Sequence, residues 1–127
     1  MTRPVLLDTS FLIALERETA SGTIGPARRF LPSLRGRTLV VSIVTVEEIL
    51  EGAASETAAL VALQRFSLQG LQLAHARRCA LLQRRSARRL GENDAWLVAT
   101  AQSLDADVVS DDRSAFERLG ARYLRFN

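Results

Sequence analysis

The first apolar block, Val5-Leu6-Leu7, has no polar residue inside it and stops at Asp8-Thr9-Ser10. Such a run predicts a strand buried on both faces, and the polar residues after it can cap a helix. Phe11, Leu12 and Leu15 continue at helical spacing up to Glu18, and small polar residues from Thr19 to Gly25 predict a loop. Pro26 suits the first position of a helix running to about Leu34, with Gly36 ending it. Thr38–Val41 predicts a second strand, Ser42–Ala53 a helix with apolar Ile43, Val44, Val46, Ile49 and Leu50, and Glu56–Phe66 another helix. Gly70–Leu73 predicts a third strand, and Ala74 to about Leu90 a long helix stopped by Gly91. Glu92-Asn93-Asp94 opens a helix over Ala95–Leu104. Asp107–Ser110 predicts a fourth strand, about Ser114–Leu119 a short helix, and Arg122–Leu124 a closing fifth strand. Strands alternating with helices predict an α/β fold with a mainly parallel five-stranded sheet flanked by helices.

The chain has 127 residues, enough for one core, and shows no repeat or linker, so one domain over residues 1–127 is expected. Apolar residues make up 47% and charged residues 24%, the balance of an ordinary soluble globular protein. No apolar run approaches the roughly 18 residues of a membrane helix. The first apolar run meets Asp8 too soon for a signal peptide, so a cytoplasmic location is expected. A single cysteine, Cys79, excludes an internal disulfide framework and a multi-cysteine zinc site. All 17 cationic side chains are arginine. An Arg-favouring genome explains this most simply, but it also removes the Walker A motif and Schiff-base chemistry, both of which need lysine. One histidine, His75, leaves little room for Ser-His-Asp catalysis. An enzyme of this composition works with carboxylates, hydroxyls and arginines.

No carboxylate lies between Glu56 and Glu92, a span that holds seven arginines. On a continuous helix stepping about 100° per residue, Arg77, Arg78, Arg84, Arg85, Arg88 and Arg89 fall within roughly 140°. That face is either solvated, a partner interface, or a phosphate-attracting surface. Among the acids, Asp8 ends the first strand and Asp112 lies just past the fourth. Open α/β sheets bind ligands outside the carboxyl ends of their strands, where strand order reverses. Asp94 stands at a helix start, where it could equally be a cap. Periodicity does not choose between Glu47 and Glu48, nor between Asp111 and Asp112. Clustered carboxylates need a cation, and an oxygen-only site suits Mg²⁺ or Mn²⁺. Thr9 and Ser110 lie beside the acids and could orient a ligand or water, or simply cap turns.

Four blocks taken in order resemble the PIN domain family: Leu-Leu-Asp-Thr-Ser at 6–10, Thr-Val-Glu-Glu-Ile-Leu-Glu-Gly at 45–52, Asn-Asp-Ala-Trp-Leu-Val-Ala-Thr-Ala at 93–101 and Val-Val-Ser-Asp-Asp-Arg-Ser-Ala-Phe at 108–116. The likeness is greatest to single-domain VapC-type toxins and covers essentially the whole chain. It implies a Mg²⁺- or Mn²⁺-dependent endoribonuclease that cuts structured RNA, commonly tRNA or ribosomal RNA, leaving a 5′-phosphate and a 3′-hydroxyl. Position by position, it assigns the metal acids to Asp8, Glu48, Asp94 and Asp112, with Ser110 beside them. Ser114-Ala115-Phe116 departs from the family's last block by one residue. The resemblance further implies a homodimer, a VapB-like antitoxin that blocks the site, and DNA contact only through that antitoxin. Arg84, Arg85, Arg88, Arg89 and Arg113 are the expected RNA contacts.

Three other readings compete. A receiver or haloacid-dehalogenase-like phosphotransfer domain also places Asp at strand ends, but it wants a lysine, and the latter wants Asp-x-Asp where this chain has Asp8-Thr9-Ser10. A PIN-fold binding module would dock a partner without cutting RNA. A PIN nuclease outside any toxin pair would act in RNA processing. Trp96, Phe11, Phe116, His75 and Cys79 are assigned to packing.

Overall fold

The computed structural model describes residues 2–111, 116 and 120–127. Five strands form one parallel sheet in the order β3-β2-β1-β4-β5. They are β1 (Val5–Leu7), β2 (Leu39–Ser42), β3 (Ser67–Gln69), β4 (Asp107–Ser110) and β5 (Tyr123–Arg125). The helices are α1 (Thr9–Ser21), α2 (Pro26–Phe30), α3 (Ile43–Gly52), α4 (Glu56–Leu63), α5 (Leu73–Arg85) and α6 (Glu92–Leu104), with a 3₁₀ turn over Leu31–Leu34. None of the described helices is long and apolar enough to cross a membrane.

β1 is apolar throughout, and β2 and β4 are apolar in their middles, because both of their faces are covered. Val5, Leu7, Val41 and Val109 point to one face, against Phe11, Leu12 and Leu15 of α1 and Leu63 of α4. Leu6, Val40 and Val108 point to the other, against Leu97, Val98 and Ala101 of α6. Phe11 is fully buried and meets Phe126 edge-on at 5.1 Å between centroids. Phe116 is likewise buried, and Trp96 packs on the cluster of Cys79, Ala95 and Ala99. The packing roles expected of these residues are therefore met.

Two predicted elements need correction. The third strand is Ser67–Gln69, not Gly70–Leu73. It is an edge strand paired only with β2, so its one side chain of apolar character, Leu68, is 49% exposed and burial leaves no mark on the sequence. Leu71 and Leu73 are also exposed, and Leu73 already belongs to α5. The long basic helix ends at Arg85 rather than about Leu90. Gln83 explains the break: its Oε1 accepts from the Leu90 amide at 2.9 Å and its Nε2 donates to the Leu90 carbonyl at 3.2 Å. Residues 86–90 fold back over the last turn, and Arg88 and Arg89 leave the helical face. Smaller shifts follow the caps. α1 extends into the predicted loop as far as Ser21, where Gly22 at φ 68° ends it. The helix after Pro26 passes into the 3₁₀ turn at Leu31, and α4 stops at Leu63.

The α1–α2 connection depends on one acid. Glu18 Oε1 accepts from the amides of Gly25 and Arg28, both at 2.8 Å, and Oε2 from that of Ala27 at 3.0 Å. Partial desolvation opposes its ionisation, but these bonds overcome it and hold the carboxyl below its ordinary value. Glu18 thus caps α2 from outside, where Gly25 has no side chain to do so. A Cβ on Gly25 would lie 2.6 Å from Glu18 Cδ. Gly25→Ala should therefore lower the melting temperature by a few degrees. The cost should shrink in a Glu18→Ala background, because the two changes break the same contact. Additive losses would mean that the contact is unimportant.

At the amino-terminal edge of the sheet, Asp107 is 8% exposed and collects three arginines. Arg37 Nη2 donates to it at 2.5 Å, Arg122 Nε at 3.1 Å, and Arg3 Nε stands 3.5 Å away. Burial opposes charge on this carboxyl, but the bonds from Arg37 and Arg122 outweigh it and pull it below its ordinary value. Arg122 also pairs with Asp105.

Candidate active site

β1 lies between β2 and β4, so the chain runs outward from the centre in both directions. The resulting crevice opens at the carboxyl ends of β1 and β4, where Asp8 and Ser110 stand. The backbone of Asp8 is fully engaged. Its amide donates to the Val109 carbonyl at 3.0 Å, and its own carbonyl accepts from the amides of Phe11 and Leu12 at 3.1 and 3.2 Å. Asp8 is the N-cap of α1, yet its side chain makes no capping bond. The carboxylate turns instead to two hydroxyls. Its Oδ2 accepts from Ser110 Oγ at 2.7 Å and from Ser10 Oγ at 3.1 Å.

Those hydroxyls tie the two strand ends together. Ser10 Oγ and Ser110 Oγ are 3.2 Å apart, and Ser10 Oγ accepts from the Asp111 amide at 3.2 Å. Ser110 is fully buried, and its carbonyl accepts from Tyr123 Oη of β5 at 3.0 Å. Neither Ser10 nor Tyr123 was reached from the sequence. The Asp-x-Ser spacing was a usable signal for Ser10, since short polar side chains two residues apart commonly bond across a turn. Nothing in the sequence marked Tyr123.

Glu48 comes from α3, which starts where Ser42 Oγ accepts from the Val44 amide at 3.2 Å. Thr9 Oγ1 donates to Glu48 Oε1 at 2.9 Å, so the residue next to Asp8 holds the second acid. Glu47 is exposed and interacts with Glu51 along the helix surface. The side-chain geometry therefore favours Glu48 over Glu47. Asp94 is half-buried at the third position of α6. A Cβ on Gly91 would lie 3.6 Å from Asp94 Oδ2, so the carboxylate leans back over the helix start, where the dipole favours an anion. Asp112 and Arg113 lie outside the described residues, and Asp111 is exposed.

Burial lifts the Asp8 carboxyl above its ordinary value, the nearby Glu48 charge adds to the lift, and the bonds from Ser110, Ser10 and the backbone moderate it. Among the described residues, no arginine forms an ion pair with Asp8 or Glu48. Also among the described residues, no group of three His, Cys, Asp or Glu side chains is placed to hold a metal ion. What the described part offers is a pair: two acids with a threonine between them, buried on the Asp8 side, with only oxygen donors. A hard divalent cation suits that donor set, and it would offset the cost that burial and the Glu48 charge place on ionised Asp8.

Arg77, Arg78, Arg84 and Arg85 project from α5 into solvent, and Arg88 and Arg89 are exposed on the segment after it. Arg89 is spent on Glu92, at 2.9 Å. His75 is buried, and its Nδ1 accepts from the Gln72 amide at 3.1 Å, a helix-start role.

The sequence profile of the PIN domain matches residues 5–121. No curated protein matches the sequence. Among solved structures, VapBC2 of Rickettsia felis bound to a promoter DNA fragment superposes with a TM-score of 0.78 at 14% identity, covering 97% of this chain and 98% of that one. A toxin–antitoxin complex from Klebsiella pneumoniae superposes with a TM-score of 0.78 at 23% identity, again over 97% and 98%. DNA-bound VapBC from Salmonella typhimurium gives 0.78 at 19% identity, over 99% and 100%.

Proposed function

The chain belongs to the PIN domain family, and from that premise we propose that it is the toxin of a VapBC-type toxin–antitoxin pair, a Mg²⁺- or Mn²⁺-dependent endoribonuclease that cuts structured RNA such as tRNA or ribosomal RNA. Nuclease activity is general to the family. The observation that carries the reading for this chain is the treatment of Asp8. It caps α1 with its backbone alone, and its carboxylate is held by two hydroxyls beside a second acid. A carboxylate serving only as a cap would bond the amide of Ser10 or Phe11, at the second or third helical position.

Asp8, Glu48 and Asp94, with Asp112, would hold the ion. When bound, it neutralises charge on the phosphodiester and makes water a better nucleophile. Ser10 and Ser110 fix one oxygen of Asp8, and Thr9 fixes one oxygen of Glu48. The acids therefore need little rearrangement on binding. Arg84, Arg85 and Arg88 are free of carboxylate partners among the described residues and would draw RNA to the surface; Arg89 and Arg113 are weaker members of that set. The toxin–antitoxin part of the proposal draws on the solved complexes, whose toxin-like chains this one matches over nearly their full length. A VapB-like antitoxin would cover the site and carry the DNA contact, and the toxin would act as a homodimer.

The test is cleavage of total tRNA and ribosomal RNA by the purified, antitoxin-free chain in Mg²⁺, Mn²⁺ or EDTA. Discrete products with 5′-phosphate ends, absent in EDTA, support the proposal. Intact RNA under all three conditions, with the fold verified, defeats it. Two finer expectations accompany it. Ser110→Ala should weaken Mn²⁺ binding by about 10- to 100-fold by calorimetry, the usual cost of losing a partner that orients a metal ligand. Arg84, Arg85, Arg88 and Arg89 changed together to Gln should flatten the slope of log affinity for RNA against log salt by up to about 3, at roughly 0.7 per lost single-strand phosphate contact. An unchanged slope would assign that face to solvent or to a protein.

A further inference from the structure

A cavity of about 630 Å³ lies at the end of the sheet opposite Asp8. Its position is set by Arg37, just before β2, and Leu39, the first residue of β2, since parallel strands all begin at one edge. Leu31, Pro32 and Leu39 give it an accessible apolar floor, laid over the buried Leu15, Leu34 and Phe66 of the core on the α1 face of the sheet. Four arginines line it, Arg28, Arg35, Arg37 and Arg65, and no carboxylate does. Arg37 is committed to Asp107. Among the described residues, Arg28, Arg35 and Arg65 form no ion pair.

The three arise from three separate segments and are each positioned. Arg28 sits on α2, and its Nη1 donates to the Thr23 carbonyl at 3.0 Å. Arg35 occupies the second position of a type II turn, with φ −56° and ψ 135°. The turn closes by a bond from the Arg37 amide to the Leu34 carbonyl at 3.1 Å, and it needs Gly36 at φ +81°. Arg65 follows α4 and lies 4.8 Å over the Phe66 ring. All three line one hollow of small-molecule size with an apolar floor.

We propose that this cavity binds a nucleotide, its phosphates taken by Arg28, Arg35 and Arg65 and its base laid on the apolar floor. Guanidinium forks match phosphate oxygens in pairs, and cations around a low-dielectric hollow concentrate anions there. The nucleotide is either free or part of an RNA chain; the recognition chemistry is the same. The site is separate from the α5 arginines, because α5 packs on α6, which covers the other face of the sheet. It also stands apart from the cleavage proposal, since binding is measurable with no metal present.

The experiment uses the full chain in EDTA, with ADP and a short 5′-phosphorylated oligoadenylate as probes. Binding is read by calorimetry and by the arginine Nε–Hε resonances. Expected are saturable binding, shifts at Arg35 and Arg65, and about a tenfold weakening in Arg35→Gln/Arg65→Gln at unchanged melting temperature. Arg77→Gln/Arg78→Gln, which removes the same charge from the other face, should bind as the parent does. Tighter binding of oligoadenylate than of ADP identifies the source as RNA, and equal binding identifies it as free nucleotide. The proposal fails if neither probe saturates, if the control variant weakens as much, or if poly-glutamate displaces ADP and binds more tightly, which would make the cavity a seat for an acidic protein segment.

Discussion

Asp8→Asn should lose RNA cleavage and gain stability at once. The substitution keeps the side-chain shape and an oxygen to accept from Ser110 and Ser10, but removes the charge. Losing a residue that merely orients a ligand costs about 10- to 100-fold, so losing the central acid should cost more than about a hundredfold in cleavage rate. The stability change has the opposite sign. Burial first, and then Glu48, raise the Asp8 carboxyl above its ordinary value in the folded chain. A carboxyl raised in this way binds its proton more tightly folded than unfolded. It favours the metal-free fold below the ordinary carboxylate range and loses that benefit as pH climbs through the raised value. At neutral pH the ionised Asp8 is therefore a burden that asparagine lifts. The metal-free variant should melt a few degrees above the parent. Mn²⁺ should raise the melting temperature of the parent and leave that of the variant unmoved. A variant that is both inactive and less stable would mean that Asp8 serves the fold, as a cap does.

Asp107→Asn should destabilise the protein more than any other surface-proximal acid. The substitution leaves Arg37, Arg122 and Arg3 converging on a neutral group at the start of β4. Breaking a fully buried pair costs about 3–5 kcal/mol. Arg122 and Arg3 are 46% and 49% exposed, so solvent screens part of the interaction. A loss of about 2 kcal/mol is expected, read from urea unfolding at pH 7. The pH dependence identifies the cause. Burial works against ionisation of Asp107, and the arginines more than reverse it, so its folded value lies below the unfolded one. Its contribution is complete above the ordinary value of about 3.9 and disappears as pH falls through the folded value. Parent and variant should converge in acid. A gap that stays constant between pH 7 and pH 3 would assign the loss to hydrogen-bond geometry instead of charge.

The contrast between these two aspartates shows what the chain reveals before it folds. Asp8 was legible because it interrupts an apolar run at the point where an α/β sheet gathers its ligands. Asp107 begins an apolar run and looks similar in one dimension, yet it stands at the opposite edge, and its partners Arg3, Arg37 and Arg122 are far from it along the chain. Central strands are legible for the reason that β1 and β4 are: burial on both faces leaves an apolar run, with polar residues only at the strand ends. An edge strand such as β3 carries no such mark, and the prediction slid onto the leucines that follow it. The basic helix was read as continuous because Arg88 and Arg89 kept its period. The break comes from Gln83 reaching Leu90, and no periodicity records a side chain bonding backbone. The resemblance to a family picks Glu48 over Glu47, a choice periodicity leaves open, and in the fold it is Glu48 that Thr9 bonds.

The amide of Asp8 donates to Val109 across the β1–β4 seam. The residue proposed to hold the metal therefore carries its own clock, in the exchange of that one backbone proton with deuterium. An inhibitor that only covers the carboxylates leaves the seam shut and the proton slow. An inhibitor that prises β4 from β1 lets it exchange as quickly as the opened strand allows. One resonance thus distinguishes masking from dismantling without a substrate in the tube.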